Sequence, residues 1–97
     1  MPLLPKEPPA TARPDWICEI LSQSNAAHDR VVETRAYHQA GVPHYWLVDP
    51  GERTLVVMRH ADAGYVTVLA ATAQEVVRAE PFEAVELRVG SLFDDDE

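Results

Sequence analysis

From Pro14 to Pro50 the chain admits one local arrangement: a strand, a capped helix and a second strand. Along Asp15–Leu21, Trp16, Cys18 and Ile20 alternate with Ile17, Glu19 and Leu21, the period-two spacing that sends neighbours to opposite faces of a strand. Both faces are largely apolar, as in a strand covered on both sides, and Glu19 is the exception. Ser22-Gln23-Ser24-Asn25 offers oxygens suited to an N-cap, and a helix is predicted from about Ala26 to Ala40. Gly41 stands where a left-handed residue closes a helix, and Pro43 follows shortly after. His44–Asp49 is the second strand. Two strands joined by a helix should lie parallel, or as near neighbours, in one sheet with a right-handed crossover.

Beyond this unit the pattern turns to hairpins. Asp49-Pro50-Gly51-Glu52 is a turn signal leading into Thr54–His60, and Asp62-Ala63-Gly64 turns that strand into Tyr65–Ala70. Glu75–Ala79 and Ala84–Val89 read as two later strands with a bend at Pro81. The expected fold is α/β (α+β): a mixed β-sheet with one main helix and a β-meander. Residues 1–13, with Pro2, Pro5, Pro8 and Pro9, cannot form a helix or a central strand and read as a proline-rich arm. Residues 14–93 form the domain, and 94–97 an acidic tail.

The chain has 97 residues, enough for one small domain that buries about 60–65% of its unfolded surface. Asp94-Asp95-Asp96-Glu97 supplies half of the formal net charge of −8, and the body shows no basic stripe. Avid non-specific binding to nucleic acid is therefore disfavoured. The single cysteine, Cys18, excludes an internal disulfide and reads as a small core side chain in a reducing interior. No apolar run suits a membrane span and Met1–Arg13 lacks the form of a signal peptide, so the expected location is cytoplasmic. The four histidines have no metal-ligand spacing and read as surface or strand-end residues.

On a helical wheel at about 100° per residue, Val32, Ala36, Asp29, Ala40, Glu33, Ala26 and Tyr37 share an arc of about 140°. Arg30, Thr34, His38, Val31, Arg35 and their neighbours share the other. The first arc is expected to pack on the sheet. It carries Asp29 and Glu33, four residues apart, whose burial demands a proton, an arginine or a metal ion. Glu19, Asp29 and Glu33 thus point either to a metal or catalytic cleft or to paired structural acids.

The segments Pro14-Asp15-Trp16-Ile17-Cys18-Glu19-Ile20-Leu21-Ser22, Asp29-Arg30, Tyr37 and Gly41-Val42-Pro43-His44-Tyr45-Trp46-Leu47-Val48-Asp49-Pro50 resemble the Uma-two family of restriction endonuclease-like proteins. That family belongs to the PD-(D/E)XK nuclease superfamily. The likeness continues through Arg53-Thr54-Leu55 and residues 78–87. It implies a restriction endonuclease-like core acting on DNA, in which strand carboxylates hold Mg²⁺ and a lysine helps activate water. Glu19 matches the family's strand glutamate. The family lysine, shifted onto the helix, is matched by Glu33.

Two departures follow from the same likeness. Glu33 reverses the charge at a catalytic position, and the only lysine is Lys6 in the arm. The family's first metal-binding aspartate lies on a strand upstream of Pro14, which this sequence does not show, so the chain reads as N-terminally truncated. Asp29 and Glu33 joining Glu19 would make a different, three-acid metal site. The resemblance therefore implies a Mg²⁺-dependent DNA endonuclease-like domain, weak or inactive in this chain. The alternative is a non-catalytic truncated remnant acting as an interaction or dimerisation module, paired through an exposed sheet edge.

Overall fold

The computed structural model describes residues 13–22 and 27–93, and of residues 27–29 the backbone alone. The arm up to residue 12, most of the predicted N-cap, the start of the predicted helix at Ala26 and the acidic tail lie outside the described residues. Strand β1 (Trp16–Ile20) leads through helix α1 (Ala27–Gln39) to β2 (His44–Asp49). An antiparallel meander follows, β3 (Thr54–Ala61) and β4 (Gly64–Thr72). The four strands form one sheet in the order β1-β2-β3-β4, with β1 and β2 parallel as the helical crossover requires. The two later strands are shorter than expected. Only β5 (Val76–Val77) pairs with β6 (Leu87–Arg88), and a short 3₁₀ helix follows at Val89–Phe93.

Alternation along β1 and β2 divides the core between the two faces of the sheet. Trp46, Val48, Leu55 and Val57 pack on one face beneath the 76–93 segment, joined by Ala79 and Val89. Ile17, Tyr37, Val42 and Tyr45 pack on the other, under α1. Each fully buried aliphatic side chain contributes about 1.5–3 kcal/mol of transfer free energy. Cys18 packs against the first cluster, as its strand position implied.

Polar contacts fasten the loops to this frame. Arg59 donates two hydrogen bonds to the Glu80 carboxylate, at 3.0 and 2.6 Å. His44 Nδ1 lies 3.1 Å from the same group, and Trp46 Nε1 donates to the Glu80 carbonyl at 2.8 Å. At the end of α1, Gly41 takes φ +79°. Its N–H reaches the His38 carbonyl while that of Val42 reaches Tyr37. These are the paired bonds of a Schellman cap, which only a residue tolerant of positive φ closes without strain.

The face of α1 differs from the wheel. Tyr37 is the buried residue, and Arg30, Glu33, Thr34 and His38 flank it half-buried, whereas Val32, Ala36 and Ala40 are exposed with Val31. The stripe is rotated towards side chains that satisfy polar partners. Thr34 Oγ1 lies 3.0 Å from the Tyr45 hydroxyl, and His38 Nε2 lies 2.6 Å from the Ala61 carbonyl. Three such contacts, that of Tyr37 included, tie this face to the sheet, while Val31 and Val32 stay exposed.

Candidate functional site

β1 carries Glu19 next to its C-terminal residue, opposite Leu47 of β2, on the face that α1 covers. The residue is 5% exposed and is the one buried charged side chain among the described residues. A carboxylate so placed is tolerable only with hydrogen-bond donors. The Tyr37 hydroxyl supplies one, donating to Glu19 Oε1 at 3.1 Å. Tyr37 in turn stacks edge-on against Tyr45 at 5.3 Å, and Tyr45 packs on Tyr65 at 5.1 Å. Tyr65 closes the row by donating to the Val42 carbonyl at 2.7 Å.

The electrostatics of this row locate the other charges. Burial pushes the Tyr37 hydroxyl far above its ordinary value, and the charge and hydrogen bond of Glu19 and then the charge of Glu33 push the same way. Tyr45 is raised by burial, lowered by the Thr34 contact, raised by Glu19 and Glu33, and lowered by Arg30. Glu19, Glu33 and Arg30 therefore act on the same two hydroxyls. Tyr65, farther along, is pushed up to about 12 by burial first. The Cys18 thiol is raised by burial and by the neighbouring Glu19, the reverse of what a reactive thiolate needs.

An open cleft of about 700 Å³ lies where the parallel strands β1 and β2 end, lined by Leu21, Ser22, Arg30, Asp49 and the Pro50–Glu52 turn. Crevices at the carboxyl ends of parallel strands are the usual ligand positions of such sheets. Glu19 lies two residues before the cleft's first lining residue. The structure thus brings Glu19 and Glu33 into one neighbourhood with Arg30, Tyr37 and Tyr45. The Asp29 side chain lies outside the described residues.

Mg²⁺ takes hard oxygen ligands in near-octahedral geometry. Glu19 has the right chemistry, but among the described residues no group of three His, Cys, Asp or Glu side chains could hold a metal ion. The described residues do not by themselves make a Mg²⁺ site, and no hydrolytic step is assigned to one. Among the described residues there is no lysine.

Sequence reasoning put Tyr37 on the arc that packs on the sheet, and it is buried, as is Tyr45 of β2. It missed that the Tyr37 hydroxyl serves Glu19 and that Thr34 serves Tyr45. The available signal was the spacing Arg30–Glu33–Thr34–Tyr37–His38, a continuous i, i+3, i+4 stripe of amphipathic residues.

The Uma2 family, described as "Putative restriction endonuclease", matches residues 3–90. The chain belongs to this family. A crystal structure described as "a putative nuclease belonging to DUF820" from Anabaena variabilis ATCC 29413 matches with a TM-score of 0.62 at 26% identity. The match covers 82% of this chain and 44% of that one, so this Uma2 chain spans less than half the length of its solved relative. No curated protein matches it. Among the described residues no helix is long and apolar enough to cross a membrane.

Proposed function

We propose that this Uma2 chain is a DNA-directed nuclease-fold domain in which Glu19 is the acid that any Mg²⁺-assisted phosphodiester cleavage would use, and that by itself it cleaves weakly or not at all. The supporting observation is the buried Glu19 carboxylate on β1, hydrogen-bonded to Tyr37 and set beside α1. A buried carboxylate is costly to a fold that needs it only for packing, which is why a functional origin is preferred. Weak cleavage follows from Glu33. Where a lysine would stabilise charge on the scissile phosphate, a second carboxylate repels it.

The test incubates the full chain with supercoiled plasmid and Mg²⁺, Mn²⁺ or chelator, beside Glu19→Ala and Glu33→Lys. The expected result is trace or no nicking by the chain, increased metal-dependent nicking by Glu33→Lys, and loss of both in combination with Glu19→Ala. Nicking indifferent to Glu19 would sink the assignment. A second reading, an interaction or dimerisation module, is favoured by the position of β1 at the edge of the sheet with Ile20 55% exposed. That reading gains if Glu33→Lys also fails to cleave and the chain sediments as a dimer.

A further inference from the structure

On the face of the sheet opposite Glu19 lies an apolar groove of about 280 Å³, lined by Trp16, Trp46, Ala79, Phe82, Val85 and Leu87. Its aromatic walls meet edge to face. Trp16 stands 5.3 Å from Trp46 and 5.0 Å from Phe82, and Trp46 stands 5.8 Å from Phe82. On the rim Phe82 is 44% and Val85 62% exposed. An apolar occupant laid over this rim would take Phe82 and Val85 out of water.

We propose that the groove is the docking site of this chain's own proline-rich segment, Met1–Ala12. Three residues, Arg13-Pro14-Asp15, separate that segment from Trp16, which itself lines the groove. From Ala12 to Trp16 the backbone spans at most about 14 Å, so Pro8 and Pro9 reach the groove after one reversal of the chain. The chemistry matches. Pro8-Pro9 offers no backbone N–H and cannot extend the β1 ladder as a strand, whereas a polyproline II segment lays flat apolar rings against aromatic grooves with little entropy left to lose. The short tether holds the segment at an effective concentration of order millimolar, which favours docking within one chain over docking between chains.

Two measurements on the full chain test this. In a Cys18→Ser background, Pro8→Cys with Val85→Cys should form an intrachain disulfide about tenfold faster than Pro8→Cys with Val66→Cys, since only the first pair shares the groove. Val66 is exposed on β4, at the far edge of the sheet. Equal rates, disulfides chiefly between chains, or none in either pair would overturn the proposal. Independently, Trp16 and Trp46 are the only tryptophans, so their emission reports on the groove alone. Acrylamide quenching should rise about twofold in Pro8→Ser/Pro9→Ser as the rings that cover the indoles are lost. Unchanged quenching refutes it.

Discussion

The contact between Tyr37 and Glu19 is the point at which packing and site chemistry meet, and it can be measured. Tyr37→Phe keeps the ring against Tyr45 and deletes only the hydroxyl that donates to Glu19. With Glu19 5% exposed, water has little access to replace that donor. A hydrogen bond to a charged group is worth about 1.5–3 kcal/mol, and a buried acceptor left short of a donor bears the larger share of the loss. The expected cost is about 2 kcal/mol, or roughly 8–16 °C in Tm for a domain of this size. In a Glu19→Leu background the same substitution removes a hydroxyl that has lost its acceptor, and should cost less than about 0.5 kcal/mol. Urea unfolding of the four proteins of this cycle, followed by tryptophan emission, gives the coupling directly. A coupling below about 0.5 kcal/mol would mean that Tyr37 does not hold Glu19, and the account of the buried acid would fail.

Three further outcomes are expected. Because Tyr65 titrates at about 12 in the folded chain and Tyr37 higher still, against an ordinary value of 10, stability should hold up to pH 10 and fall from pH 10 to 12, read by urea midpoints. At the acid end, the hydrogen bond from Arg59 holds Glu80 below its ordinary 4.5, so its contribution is present above that value and lost as pH falls through the folded one; Arg59→Ala should flatten this limb of the stability curve. A Cβ on Gly90 would sit 2.9 Å from the Ala73 carbonyl oxygen, so Gly90→Ala should destabilise by about 1–3 kcal/mol in the same unfolding assay.

The strand–helix–strand unit was legible because three local signals agreed: alternation along β1, a helix bounded by Gly41, and a second apolar strand at His44–Asp49. The parallel pairing of β1 with β2 followed from topology alone. The packing face of α1 was not legible, because hydrophobicity was the wrong measure of it. Val32 and Ala36 are the apolar residues, yet Thr34 and His38 turn inward, since the sheet beneath offers them a tyrosine hydroxyl and a backbone carbonyl. A pattern scored by polarity cannot register partners that belong to another element. The same limit hid the link between Tyr37 and Glu19. Each residue was noticed, but their contact spans 18 positions and depends on the register of β1 under α1. The later strands shrank for a simpler reason. Much of the 76–89 segment is held by side chains, Glu80 above all, rather than by a ladder.

The charge around the cleft bears on what this Uma2 domain can do with DNA. Glu19, Glu33, Asp49 and Glu52 lie in or beside it, against Arg30 as the cation that lines it. A protein that binds DNA through basic contacts releases counterions and loses affinity as salt rises. Here the described site presents the same sign as a phosphodiester, so repulsion opposes approach and salt screens that repulsion. Any association of the chain with a short duplex should strengthen, or stay constant, between about 50 and 200 mM salt, where a basic interface would weaken by orders of magnitude. Fluorescence anisotropy across that range decides the matter. A steep loss of affinity would show that DNA meets this chain on a basic surface away from Glu19, and the carboxylates would then be structural. A flat or rising profile would leave multivalent cations as the remaining means of bringing a phosphate to Glu19. Glu33→Lys leaves these groups still net negative but less so, and should therefore flatten the rising salt profile rather than invert it.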